Sequence, residues 1–272
     1  MLVNVTFIPP IRNDLDTTSI GLTVSDHVAM ADKHKVMDEM LRYRNRDGIV
    51  QVYFDHSRPR IGKFFICVGF LFFYNPCSFI DPVVCINVLT LFYEHGRGYE
   101  LPGTLDWVEQ VLMNRAYIAG TYYYTSAHLF LFFLSRLLQN SPEVRQRLGG
   151  VFRDRVMERF GAEADSLSLA ARIISATVVD LVDDRDLEIL LCMQREDGSW
   201  GDSWFYRYGT SGILVRNDGV TTALALQAIQ RVRRLRSMQQ NTPTEPSPLL
   251  SSVYNRLVSF VSFNIPIIKR AL

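Results

Sequence analysis

Two aspartates one residue apart, followed at once by two threonines and a serine, stand near the start of the chain. They are Asp14, Asp16, Thr17, Thr18 and Ser19 in "NDLDTTS". These residue types cap helix N-termini, so one reading is a capping segment. The other reading is chemical: a carboxylic acid kept neutral by burial can give up a proton to a weak base. A second stretch of fixed spacing is "LLCMQREDGSWGDSW" (190–204), in which a hydrophobic residue is followed by Gln194, Gly198 and Trp200. Other patterns carry less. The five histidines (27, 34, 56, 95 and 128) have no metal-ligand spacing, "GTSG" (209–212) is no nucleophile elbow, and no phosphate-binding glycine loop is present.

The elements that must position these residues are mostly helical by pattern. "TLDWVEQVLMNRAYI" (104–118) places Leu105, Val108, Leu112 and Ala116 on one face, with Thr104 as the cap. "AHLFLFFLSRLLQ" (127–139) is apolar nearly all round and so is expected to be buried on most sides. "SPEVRQRLGGVFRDRVMERFG" (141–161) opens on Ser-Pro, a helix start, and Gly149-Gly150 is a candidate break. "DSLSLAARIISATVV", "DDRDLEILLCMQ" and "DGVTTALALQAIQRVRRLRSM" (218–238) read as further helices, with "RVRRLR" (231–236) an outer charged face. The strand candidates are "GIVQVYF" (48–54) and "GTYYYT" (120–125). "RDGIVQVYFD", "IAGTYYYTSA" and "EDGSWGDSWFY" each set a glycine turn before an aromatic cluster, the mark of a repeated helical hairpin.

Length and composition set the frame. The 272 residues suit one large domain or two small ones, and 48% hydrophobic against 21% charged residues supply a sizeable core. A net charge of +1 gives no footprint for nucleic acid. Aromatic residues, 12% of the chain, point to bulky packing or a ring-lined cavity. Cys67, Cys77, Cys85 and Cys192 form no C-x-x-C pair and are too sparse for a disulfide framework, as in a reducing compartment. The N-terminus lacks the basic flank and apolar run of a signal peptide. The most apolar stretch, "FFICVGFLFFY" (64–74), is 11 residues long, short of the roughly 20 a membrane span needs. A cytoplasmic location is therefore expected.

The segment 62–79, "GKFFICVGFLFFYNPCSF", interrupts an otherwise smooth passage from "DHSRPRI" to "DPVVCINVLTLFY". It reads either as the translation of a short retained intron or as an apolar loop that caps a pocket or touches a membrane surface.

The spacing of Gln194, Gly198 and Trp200 resembles the QW motif of squalene-hopene cyclases and other class II terpene cyclases. In that family the glutamine caps a helix end and the tryptophan braces it. "DLDTTS" is similar to the D-x-D-D acid motif in its D-x-D-T-T variant, found in fungal sesquiterpene cyclases fused to a haloacid dehalogenase-like phosphatase. "IPPIRNDLDTTSIGLTV", "DGIVQVYFD", "DPVVC" and "YGTSGI" resemble the cyclase half of those proteins, and the resemblance covers the chain apart from 62–79 and the tail after about 240. "DDRD" (183–186) is similar to the metal motif of ionising terpene synthases, but Leu187 occupies its last position.

The resemblance implies an all-α fold, an α/α toroid of inner and outer helices over 1–240, followed by a polar, proline-rich loop and a last helix in 241–272. It implies proton-initiated cyclisation of farnesyl diphosphate to a bicyclic drimane-type product. Asp16 would be the proton donor and Asp14 its partner, with Thr17 and Thr18 orienting the pair. Carbocations need aromatic faces, and the candidates are Trp200, Trp204, Phe205, Tyr206 and Tyr208 in one loop and Tyr122, Tyr123 and Tyr124 in another. The diphosphate needs cations, for which Arg58, Arg60 and Arg207 lie in glycine- or proline-marked loops. Mg²⁺ is implied without a nameable ligand. The phosphatase domain of the fused relatives has no counterpart in this chain, which starts 13 residues before the acid motif. The alternative reading is an inactive truncated toroid that binds prenyl groups or protein partners. A protein prenyltransferase-like toroid, which needs a Zn²⁺ site of Asp, Cys and His, has no matching constellation.

Overall fold

A computed structural model describes residues 14–53, 80–208 and 212–241. Arg58, Arg60, the 62–79 segment and the 242–272 tail lie outside the described residues, as do Cys67 and Cys77. The all-α expectation holds: among the described residues there are nine α-helices and one two-stranded sheet. The chain divides into two compact units, one of residues up to Glu158 with Tyr206–Leu214, the other of Arg159–Phe205 with the segment from Val215 onward.

In the first unit, helices α1 (Leu15–Val24) and α2 (Met30–Met40) precede α3 (Pro82–Glu94) and α4 (Pro102–Met113), then α5 (Ala127–Asn140) and α6 (Pro142–Met157). Helix α3 packs against α1, α4 and α5, and α6 packs against α5 and α4. α3 buries every residue from Val83 to Phe92, and α5 is buried on most sides as its composition predicts. α6 runs straight through Gly149-Gly150. Its buried stripe of Val144, Leu148, Phe152 and Val156 outweighs the roughly 1 kcal/mol that an interior glycine costs.

Two local expectations need correction. Thr104 is no cap: α4 begins at Pro102, and the buried Thr104 hydroxyl donates to Gly48 O (3.1 Å) and accepts from Val50 N (3.2 Å). The two strand candidates form no sheet. Residues 48–53 make only isolated bridges, Arg44 with Val50 and Asp14 with Tyr53. The 120–125 run folds into a tight turn closed by Thr121 N–H to Tyr124 O (2.6 Å). The sheet lies instead between β1 (Tyr206–Tyr208) and β2 (Ile213–Val215). The glycines that head the three sequence copies do share one conformation, with φ of +77° at Gly48, +82° at Gly120 and +87° at Gly198.

In the second unit, α7 (Ser166–Val178) packs against α8 (Asp184–Cys192) and α9 (Asp218–Asn241). The acidic run at α8 is structural. Asp183 caps the helix, Asp184 pairs with Arg236, and Asp186 forms a fully buried bidentate pair with Arg172 (2.5 Å for each contact). After α8, the Gln194 amide donates to Gly198 O (2.9 Å), and the buried Trp200 indole donates to Leu190 O (2.7 Å). The same carbonyl accepts Met193 N–H (3.2 Å), so the indole adds a second bond at the helix C-terminus. The tryptophan thus braces α8 while the glutamine closes its own loop.

Candidate active site

"NDLDTTS" does both things its residues allow. Asp14 is the N-cap of α1: its Oδ1 accepts Thr17 N–H (2.6 Å), its Oδ2 accepts the Thr17 hydroxyl (3.2 Å), and the Thr18 hydroxyl donates to Asp14 O (2.6 Å). Leu15 N–H donates to Val52 O (2.8 Å), which pins the helix entry to the 48–53 segment. Two residues after the cap, Asp16 turns inward and is only 8% exposed.

Neither threonine touches Asp16. Its carboxyl is held by Asn87 of α3, whose Nδ2 donates to Oδ1 (2.7 Å), and by Tyr124, whose hydroxyl donates to Oδ2 (2.6 Å). Asn87 is buried within an otherwise apolar helix, where an amide without a partner would be costly. Tyr124 is aimed by the turn at Gly120. A Cβ there would lie 2.6 Å from the Thr125 backbone, and φ is +82°, so only glycine fits without strain.

Burial pushes the Asp16 carboxyl up to about 6. The Tyr124 and Asn87 hydrogen bonds pull it down, while the charges of Asp81 and Asp14 add to the rise. The N-terminal turn of α1 favours a carboxylate by about 2 kcal/mol at most, and desolvation, the largest cause of the shift, dominates. The site therefore holds an acid that is neutral in mildly acidic water and half-ionised at about pH 6.

A cluster of aromatic rings extends from Tyr124, which holds the acid. Tyr123 stacks on Tyr206 (5.6 Å, 7°), and Tyr124 meets Tyr206 (5.6 Å) and Phe133 (5.1 Å) edge to face. Tyr122 packs edge-on to Tyr123 (4.9 Å), and the Tyr53 and Tyr123 hydroxyls are 2.7 Å apart. Burial raises the Tyr206 phenol and lifts the Tyr124 phenol well above its usual range, so both stay neutral. Tyr206 and Tyr123 thus join the acid. Trp204 and Tyr208 are 45% and 52% exposed, and Trp200 is core of the second unit.

Two cations accompany the rings. Arg207 is pinned through its backbone N–H to Tyr123 O (2.7 Å), and its guanidinium has no hydrogen bond or ion pair among the described residues. Arg136 of α5, unmarked in the sequence, lies over the Phe133 ring (6.0 Å) and feels the charge of Glu94 without a salt bridge to it among the described residues. Among the described residues no cluster of His, Cys, Asp and Glu fits a metal ion, so the Mg²⁺ expectation gains no ligand here. No helix of the described residues is long and apolar enough to cross a membrane.

Asn87 was not legible as a site residue, and Tyr124, a candidate aromatic face, was not legible as a partner of the acid, because they stand 71 and 108 positions from Asp16. The only available sign was a lone amide in an apolar helical run. Comparison with known proteins gives two matches. A family described as the sesquiterpene cyclase astC-like C-terminal domain matches residues 5–76. Drimenol cyclase drtB of Aspergillus calidoustus is 39% identical over 222 residues, covering 80% of this chain and 38% of that protein. The chain thus spans well under half the length of that relative.

Proposed function

We propose that the chain is a drimane-type sesquiterpene cyclase-like protein, a reading its likeness to the astC-like C-terminal domain and to drimenol cyclase drtB supports, and that Asp16 is the general acid of a proton-initiated cyclisation of farnesyl diphosphate. The observation that carries this reading is the Asp16 carboxyl itself: buried, pushed to about 6, and held by the hydroxyl of Tyr124, which belongs to a cluster of aromatic rings.

In the proposed step the π electrons of the terminal alkene take the proton from the Asp16 hydroxyl. A C–H bond forms, the O–H bond breaks, and positive charge appears on the adjacent tertiary carbon. Two ring closures move that charge inward. Loss of a proton from the bicyclic cation ends the reaction, leaving the diphosphate in place and Asp16 to be reprotonated from solvent. Tyr124 and Asn87 orient the acid, and both can shift their hydrogen bonds as its charge changes. The faces of Tyr123, Tyr206 and Tyr122 supply cation–π attraction, worth about 2 kcal/mol each where water is excluded. Arg207, Arg136, Arg58 and Arg60 are the proposed partners of the diphosphate. A separate phosphatase of the haloacid dehalogenase type would release the alcohol. The helix pairs α3–α4, α5–α6 and α7–α8 are the building unit of the proposed toroid.

The test is product analysis. Purified protein with farnesyl diphosphate, followed by phosphatase treatment and gas chromatography–mass spectrometry, should give a bicyclic drimane alcohol that disappears with Asp16→Asn. Farnesol alone from both proteins, or unchanged drimane from Asp16→Asn, contradicts the reading.

A further inference from the structure

A second buried carboxyl stands beside the first. Asp81 is the N-cap of α3 and is 1% exposed. Its Oδ1 accepts Val83 N–H (2.8 Å) and Val84 N–H (3.4 Å), its Oδ2 accepts Tyr123 N–H (3.3 Å), and the Thr121 side chain also bonds it. One residue after Tyr123, Tyr124 reaches Asp16, and six residues along α3, Asn87 does the same. Asp81 therefore fixes the starting point of both elements that hold the acid.

The two carboxyls differ in what their partners permit. Backbone N–H groups only donate, and three of them at Asp81 favour oxygens without a proton. The N-terminus of α3 favours negative charge at the same place. Asp16 has two side-chain partners, and both can reverse: an amide can present its carbonyl, and a phenol can accept. Burial raises both carboxyls, but four donors pull Asp81 back toward the anion against two at Asp16. Two anions in one dry site repel strongly.

Building on the acid reading above, we infer that Asp81 is the standing anion of the site, a positioning residue that holds the Tyr123–Tyr124 turn against Asp16 and keeps the proton on Asp16. After proton transfer the site holds two carboxylates, and their repulsion drives Asp16 to take a proton back from solvent. The acid is thereby kept loaded at some loss of acid strength. Asp16 is faced by Asp14 from its own helix, by Asp81, Cys85 and Asn87 from α3, by Tyr124 from the turn and by Tyr206 from β1. Of these, Asp81 is the buried group fitted to be charged at neutral pH.

Infrared difference spectra between about pH 5.5 and about pH 8 locate the proton without any change at Asp81. A protonated-carboxyl band that titrates in the wild type and is lost in Asp16→Asn is the expected result. A band that survives in Asp16→Asn places the proton on Asp81 and overturns the inference. In Asp81→Asn the alkaline limb of kcat/KM should move about one pH unit lower. An unmoved limb in an active Asp81→Asn protein also overturns it, since a merely structural cap would leave the limb in place. Drimane formed by Asp16→Asn counts against the acid reading instead, while the infrared band still decides which carboxyl holds the proton.

Discussion

Asp16 is held in a form that suits a proton donor and taxes the fold. Its folded value of about 6 lies above the ordinary 3.8, so burial of the neutral carboxyl is free of penalty below about pH 4 and stability falls as pH rises through 6. Near pH 8 the penalty is about 3 kcal/mol, from two units at 1.4 kcal/mol each. Asp16→Asn should therefore melt higher than the wild type near pH 8, with the gap closing toward pH 4.5; thermal unfolding at both values checks it. Tyr124→Phe should act in the opposite sense to Asp81→Asn. It removes a donor to the carboxylate, so the alkaline limb of the rate profile should move to higher pH, with kcat reduced about tenfold or more by lost orientation. The acid pair could be read from "DLDTTS" because local spacing carries it. Its partners could not, because only the packing of α1, α3 and the Gly120 turn brings them together.

A few buried polar groups join the elements within an apolar core. In the second unit the Arg172–Asp186 pair is 1% exposed on both sides, and Arg172 also donates to Ala162 O (2.9 Å). Asp186→Ala would leave that guanidinium buried without its carboxylate, and a loss of about 3–5 kcal/mol is expected in urea unfolding followed by tryptophan fluorescence. Asp183→Ala, which removes the α8 cap alone, should cost about 1 kcal/mol in the same experiment. Helices with strong apolar patterns or Ser-Pro starts were legible, as at α5 and α6. Helix α2 was not, because only Lys33, Met37 and Met40 of its charged run are buried. The 120–125 tyrosines have strand propensity, but the left-handed Gly120 turns them into a loop that serves the acid.

At the scale of the molecule, the drimane-type cyclase likeness rests on 80% of this chain and 38% of its relative. The acid, its two partners, Asp81 and the stacked tyrosines all belong to one compact unit, and the QW-like brace belongs to the other. Composition and charge gave no footprint for nucleic acid and said nothing of prenyl chemistry; that came from two short motifs. The central claim is that the reaction starts by proton transfer to an alkene and leaves the diphosphate bond intact. Running the reaction on farnesyl diphosphate in heavy water tests it most directly. Proton initiation predicts a drimane product carrying a single deuterium in one methyl group of its gem-dimethyl pair, located by mass spectrometry and NMR. A cyclic product with no deuterium there, formed with release of inorganic diphosphate, would mean that ionisation starts the reaction and that Asp16 is not its acid.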